Sequence, residues 1–383
     1  MDRTRALRGL FITHDVSNYG ASRSLQLLLN NYPGIHIDLI IRKNLFRKDA
    51  SIQNIRSRFG PHIAAISRQY LPFDHCYQYK PAKSWKLTLQ KIINRIVWRA
   101  TRSRVYDFIE KGNYDFIHLN SLVLHPLITP RYPFVIHIRD IYDHSSRHAL
   151  NNVRNAKGVI FIDEATREPF RDVSLAHSIV LNNPFDMTLL SEYAKSHMSW
   201  PEQDFNNRVI FSIIGGVTEK KGVDFIIRCF LKLQDNNARL LIVGRGEKNY
   251  ESLCRRIASQ DKRVIFWGEE PDILKIYSVS DYILRGEEYQ CIGRTIYEGL
   301  YAGCKVIIPA ESDKRQRMFE YDTFKESIYF YEPRNEAELF ILLERLSPRK
   351  VTDKNYGTNA REHADRFHAF ISQFANDTRD SPV

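Results

Sequence analysis

Short apolar runs recur along the chain, and each is followed by a stretch whose apolar residues return at helical spacing. In the first half the runs lie at 9–13, 35–42, 62–67, 115–119, 133–138, 157–162 and 178–181. In the second half they lie at 209–214, 240–243, 264–267, 282–284, 306–308 and 328–331. Runs of this length bounded by turn residues predict buried strands. Between the later runs the spacing predicts helices over 223–233, 250–259, 272–278, 295–302 and 336–346. Regular alternation of strand and helix implies parallel sheets covered on both faces. Earlier, Ser22 is expected to cap a helix over 23–31, and a long helix is predicted over 84–112. Trp85, Leu89, Ile92, Ile93, Ile96, Val97 and Ala100 form its apolar stripe, and Lys86, Lys91, Arg95, Arg99, Arg102 and Arg104 crowd the remainder. A last helix is expected over 359–374.

The pattern divides the chain into a first domain at 1–186, a connector at 187–207, a second domain at 208–355 and a returning helix with its tail at 356–383. The stretch 187–207 is polar, carries Pro201 and reads as irregular. A chain of 383 residues, 43% hydrophobic and 26% charged, is long enough for two domains with cores of their own. No apolar run reaches membrane-spanning length, and the N-terminus runs into a strand without a separate signal segment. The five cysteines show no metal or redox spacing, so reduced thiols and a cytoplasmic protein are expected. A net charge of +11 fits anionic substrates or an anionic membrane surface. No zinc-finger, RNA-recognition or basic-zipper pattern is present, so no nucleic-acid partner is expected. The long basic helix has two readings, a membrane-surface helix or an ordinary domain helix with a solvated basic face.

Candidate chemistry concentrates in the segment 285–303. A strand, a glycine-containing turn and a helix start at Gly293 form a ready anion site, because backbone N–H groups there point outward. Arg294 and Thr295 add a cation and a hydroxyl, and Glu298 follows one turn later, a position suited to ribose hydroxyls. The loop 14–22 repeats the strand–loop–helix arrangement, with Gly20 either approaching a phosphate or only making the turn. Polar residues also gather at strand ends in the first half: His118, Asn120, His137, Arg139 and Asp140. His118 reads as a satisfied core histidine.

The segment Gly293-Arg294-Thr295…Glu298, with the tail Ala302-Gly303-Cys-Lys-Val-Ile, resembles the signature of retaining glycosyltransferases of the two-domain GT-B fold, close to family 4. Gly215-Gly216…Lys220-Lys221-Gly222-Val-Asp224 is similar to that family's diphosphate loop, Gly244-Arg245-Gly246 to its next turn, and Trp267-Gly268 to the strand end beside the nucleobase. Asn182-Asn183-Pro184-Phe185-Asp186 resembles the element closing its first domain. The resemblance implies an α/β GT-B protein, two doubly wound Rossmann-like domains facing across a cleft. It implies a metal-independent, retaining transferase with no cofactor beyond its nucleoside diphosphate sugar substrate. The acceptor implied is a glycan or lipid-linked glycan of surface polysaccharide synthesis, at the inner face of the plasma membrane.

On the same resemblance Lys221, Gly216, Gly20 and the amides of Ile292, Gly293, Arg294 and Thr295 hold the donor diphosphate. Glu298, Trp267, Gly268 and Arg245 attend the nucleoside. His137, with Arg139 as the other register, faces the sugar. The sequence departs from the family twice: Gly216 replaces an arginine, with Arg294 as the candidate substitute charge, and Gln290 replaces a sugar-binding glutamate. Three readings of Gln290 follow: an active enzyme using glutamine, a loop in which Glu288 or Glu287 takes the place, or a degraded site in a binding subunit. A sugar-nucleotide epimerase is a further alternative.

Overall fold

The structure, a computed structural model, describes residues 7–17, 20–32, 36–44, 50–77, 85–196, 205, 208–288, 293–318, 320–347 and 358–375. The chain divides into two compact units, residues 1–184 with 359–383, and residues 185–358.

Unit 1 contains seven parallel strands: β1 (Arg8–Thr13), β2 (His36–Arg42), β3 (Ile63–Gln69), β4 (Phe116–Leu119), β5 (Phe134–Ile138), β6 (Gly158–Phe161) and β7 (Ser178–Val180). Their order is β3-β2-β1-β4-β5-β6-β7. Side chains alternate between the two faces of a strand, so β1 serves two cores. Leu10 and Ile12 join Val105, Ile109 and Ile117 on one face. Phe11 joins Leu25, Leu28 and Phe367 on the other. The helix Ala360–Ala375, last in sequence, belongs to this unit. Its Phe367 ring meets Phe11 at 6.0 Å and Phe116 at 6.1 Å. The long helix Trp85–Gly112 ends where Asn113 turns left-handed at φ 45°, a conformation that asparagine tolerates better than most residues.

Unit 2 contains six parallel strands: β8 (Val209–Ile214), β9 (Ala238–Val243), β10 (Val264–Gly268), β11 (Tyr282–Leu284), β12 (Lys305–Pro309) and β13 (Ile328–Tyr331). Their order is β10-β9-β8-β11-β12-β13. Every residue of β8 is buried, with Ile210 and Ile214 in one core and Val209, Phe211 and Ile213 in the other. A central strand buried on both faces needs such a continuous apolar run. In both sheets the chain reverses its direction of winding beside the first strand, next to β4 in unit 1 and β11 in unit 2. Ligands bind at such switch points, outside the carboxyl ends of the strands.

Two expectations need correction. Ser22 does not cap its helix: the helix begins at Gly20, and Ser22 lies buried in its first turn. The connector also begins with structure. Met187 and Leu190, with Phe185 from the end of the expected first domain, enter a unit 2 core, and Leu190–Ser196 is helical. Its apolar residues are too few and too widely spaced to stand out from the polar ones around them.

Candidate functional site

Four loops leave the carboxyl ends of β8, β9, β10 and β11, and their backbones interlock. Gly222 sits left-handed at φ 60°, and a Cβ placed there would stand 1.8 Å from the Gly286 carbonyl oxygen. A Cβ on Gly244 would stand 2.0 Å from Gly215 O, and one on Gly246 2.1 Å from Val217 O. Gly244 N donates to Gly268 O at 2.7 Å and Val217 N to Arg245 O at 3.0 Å. These glycines are required by close approach of main chain to main chain. Gly215 and Gly216 differ: nothing lies within 4 Å of a Cβ on Gly215, and the nearest atom to one on Gly216 is 3.7 Å away. The β8 loop therefore presents two glycines toward open space while the glycines behind it are packed.

A buried chain of charges ties this loop to the next helix. Lys221 Nζ lies 3.3 Å from Glu287 Oε1. Glu287 is fully buried and accepts from Arg285, whose Nε donates to Oε1 at 2.9 Å and to Oε2 at 3.1 Å; Arg285 Nη2 donates to Oε1 as well. The same guanidinium reaches on through Nη1 to Thr295 Oγ1 at 3.0 Å. Burial pushes the Glu287 carboxyl up, but the Arg285 and Lys221 charges and the Arg285 hydrogen bonds outweigh it, so the group stays below the ordinary carboxylate range. Tyr331 OH donates to the Arg285 carbonyl at 2.6 Å and fixes the start of the loop. The helix Arg294–Tyr301 is entered at Gly293, which brings no side-chain cap. A partly exposed lysine and an uncapped helix start are thus tied to one ion-paired cluster.

Arg285 and Glu287 were not singled out for these roles from the sequence. Their signal was present, since an arginine and a glutamate two apart directly after a strand point to the same side. Glu287 was considered only as a substitute for the family glutamate; its contacts with Arg285 and Lys221 give it a different task. Glu288 is mostly exposed and pairs with Arg334 at 3.1 Å. Gln290 and Ile292 lie outside the described residues.

Arg294 and Glu298 pair with each other. Arg294 Nε donates to Glu298 Oε1 at 2.8 Å, and the guanidinium carbon lies 5.0 Å from the Phe185 ring centre. Tyr277 OH reaches Glu298 Oε2 at 3.0 Å and Thr295 O at 3.2 Å. Glu298 is buried, and the cation recorded against Thr295 is Arg285 rather than Arg294. Trp267 is half-buried on a unit 2 core and its Nε1 donates to Glu270 at 3.4 Å. Gly268 is left-handed at φ 86° with nothing within 4 Å of a Cβ. Arg245 is exposed and faces Glu269 at 3.4 Å.

Unit 1 gathers polar groups at the ends of β4 and β5. Arg139 is buried; its Nε donates to Asn120 Oδ1 at 3.2 Å, its Nη1 to Asn183 Oδ1, and its Nη2 approaches His137 Nδ1 at 3.1 Å. Asn120 Nδ2 donates to Ala21 O at 3.0 Å, and Ser24 Oγ to Asn183 Oδ1 at 2.8 Å. The network therefore ties the start of the Gly20–Asn31 helix to β4, β5 and the segment after β7. His137 is fully buried, and burial, then Arg139, His118 and His363, holds it far below the usual histidine range. It stands neutral, as the acceptor of an Arg139 hydrogen bond. His118, whose Nε2 lies 3.5 Å from His137 Nδ1, is a buried core histidine, also held well below the usual range by burial first and then by Arg139 and His363.

Among the described residues one group has metal-ligand chemistry, Asp74, Cys76 and His125. Its hydrogen bonds suffice without an ion. Asn152 Nδ2 donates to His125 Nδ1 at 2.9 Å, which leaves the ring proton on Nε2, facing Asp74 Oδ2 at 3.0 Å. Burial, with Asp74 and Asp143 beside it, pushes the Cys76 thiol up to about 12.

Residues 208–345, within unit 2, match the family described as Glycosyl transferases group 1. An uncharacterized glycosyltransferase of Methanocaldococcus jannaschii is 29% identical over 126 residues, 29% of this chain and 32% of that protein. The chain spans about a third of the length of the curated relatives it matches. Among solved structures, Anabaena HepE in complex with UDP and glucose superposes with a TM-score of 0.66 at 17% identity, covering 98% of this chain and 100% of that one. The lipopolysaccharide outer core galactosyltransferase WaaB gives 0.59 at 15% identity, covering 97% and 98%. The fold is the α/β GT-B fold, and the match to the group 1 glycosyltransferases lies within its second unit.

Proposed function

We propose that this chain is a glycosyltransferase that moves a sugar from a nucleoside diphosphate sugar, UDP being the first nucleotide to test, to a hydroxyl of a glycan or lipid-linked glycan. The observation that carries this reading is the chain Lys221–Glu287–Arg285–Thr295, which fixes a lysine and a helix start on one loop beside two unobstructed glycines. Developing negative charge on a leaving diphosphate is stabilised best by positive groups already held in place. Lys221 supplies a compact charge with three donors, and the Gly293 turn supplies main-chain N–H groups. Gln290 is assigned to the donor sugar, Glu298 to the ribose, and Trp267, Gly268 and Arg245 to the base side. In unit 1, Arg139, the other register for the position facing the transferred sugar, is assigned to that sugar, with the fully buried His137 accepting its hydrogen bond.

We further propose that the anomeric configuration is retained and that no metal is required. The acceptor hydroxyl attacks from the face the diphosphate leaves, and the leaving phosphate oxygen takes its proton. The setting proposed is surface polysaccharide synthesis on the cytoplasmic side of the plasma membrane. A second reading, a binding subunit without turnover, is favoured by Gly216 and Gln290, which stand where the resembled family has arginine and glutamate. Thermal-shift titration with nucleoside diphosphates and their sugars, followed by an assay for released nucleoside diphosphate, separates the two, because a ligand of the folded state raises its stability by mass action. UDP stabilisation lost in Lys221→Ala, with UDP released from a UDP-sugar, supports transfer. Binding without release selects the second reading, and no shift with any nucleotide overturns both.

A further inference from the structure

The long helix Trp85–Gly112 carries two apolar faces, and one of them packs into a unit 1 core. Its C-terminal half packs inward: Val105 and Ile109 are buried, with Trp98, Tyr106 and Phe108 against the same core. Its N-terminal half carries a second apolar stripe. Trp85 is 72% exposed, Leu89 48%, Ile92 52% and Ile96 61%. These are four of the seven large apolar side chains exposed among the described residues, so the exposed apolar surface is concentrated here and not scattered. Spacings of four, three and four residues place all of them on one side. At about 100° per residue, that side lies roughly half a turn from Val105 and Ile109.

Charge decides what covers the stripe. Between Trp85 and Tyr106 there are six Lys and Arg and no Asp or Glu. Lys91, Arg95, Arg99, Arg102 and Arg104 are exposed. Arg95 and Arg99 flank the apolar stripe closely on one side. A second copy of this face would bring like charges together, and an acid-free row of cations has no use for a neutral partner. A surface with anionic headgroups above an apolar layer satisfies both features: the stripe enters the acyl boundary and the arginines stay among the phosphates.

We propose that the Trp85–Ile96 face is a membrane-docking surface for a bilayer containing anionic phospholipid. It stands apart from the sugar-transfer reading, since vesicle binding tests one and UDP binding the other. The test is flotation of the full chain with phosphatidylcholine vesicles, alone or with phosphatidylglycerol. Wild type is expected on the anionic vesicles and not the neutral ones, with binding weakened by salt. Trp85→Ser/Ile92→Ser/Ile96→Ser and Arg95→Glu/Arg99→Glu each lose binding at least tenfold, with circular dichroism and response to UDP unchanged, because the altered side chains are exposed and outside the unit 1 core, and the β8 loop belongs to the other unit. Wild type that fails to float with anionic vesicles overturns the proposal, as do variants that float like wild type. So does a wild-type dimer in sedimentation that the triple variant dissolves, which would assign the face to a second copy.

Discussion

Replacing Glu287 by glutamine removes one charge and almost no volume. The carboxylate is fully buried and its partner Arg285 nearly so. Breaking a buried pair from one side strands the other charge in a medium that solvates it poorly, at a typical cost of about 3 kcal/mol. For a unit of this size that is a fall in Tm of roughly 6–12 °C. The carboxyl is held below its ordinary range, so its stabilising contribution is fully present above the unfolded-state value of about 4.3 and is lost as pH falls through the lower folded value. The gap between wild type and Glu287→Gln is therefore constant near neutrality and closes in acid. Urea unfolding followed by tryptophan fluorescence, from pH 7 to pH 3, measures both. Arg285→Met alone also destabilises, whereas Arg285→Met/Glu287→Leu costs less than the sum of the single changes, since neither charge is then left unpaired. A Glu287→Gln protein within about 0.5 kcal/mol of wild type at pH 7 refutes the view that this pair holds the loop.

Gly222→Ala forces a Cβ against the Gly286 carbonyl, main chain on main chain, where no rotamer gives relief. It should cost roughly 3 kcal/mol and weaken UDP binding at least tenfold, whereas Gly215→Ala, with open space around it, bears backbone strain alone; equal effects by urea unfolding and calorimetry would contradict the interlock. Tyr277→Phe removes the hydroxyl shared by Glu298 and the Thr295 carbonyl and should cost about 1–2 kcal/mol, and an unchanged unfolding midpoint would show the contact to be idle. Burial lifts the Asp163 carboxyl to about 6, so its folded state holds a proton that the unfolded state releases, and stability falls as pH rises from about 4 to about 6. Asp163→Asn keeps an oxygen for the Thr166 amide and should remove that fall, worth roughly 3 kcal/mol; a pH profile parallel to wild type over that window excludes this origin.

The sheets were legible because buried parallel strands announce themselves by continuous apolar runs. β8 and β12 were placed to within a residue or so, and so was the long helix Trp85–Gly112. Elements with little apolar surface were not: the helix Arg147–Arg154 buries only Ala149 and Val153, and Leu190–Ser196 begins inside what reads as a polar connector. Lys221, Thr295 and Gly293 were legible as types in a pattern, a lysine after a glycine loop and a helix start after a strand. Their mutual fixing was not, because it depends on which loop lies against which. Gly222 reads in sequence as a flexible residue in a loop. In the structure it is where two main chains nearly touch, the opposite of a flexible point.

The same limit explains Arg294. A cation in the first turn of a helix is a natural anion ligand when read alone, but Glu298 follows four residues later on the same face, and an i, i+4 pair forms wherever the environment is dry enough to favour it. With Glu298 buried and Tyr277 on its second oxygen, Arg294 is drawn down the helix, away from its start. The charge beside Thr295 then has to come from another element. Arg285 supplies it from the preceding strand end, and Glu287, by bonding to both Arg285 and Lys221, sets where each cation stands. An acidic residue at the centre of a proposed anion site looks misplaced until its partners are counted. One carboxylate between two cations leaves the cluster with a net positive charge of one, and it fixes the geometry that a mobile lysine and arginine would otherwise lose to solvent.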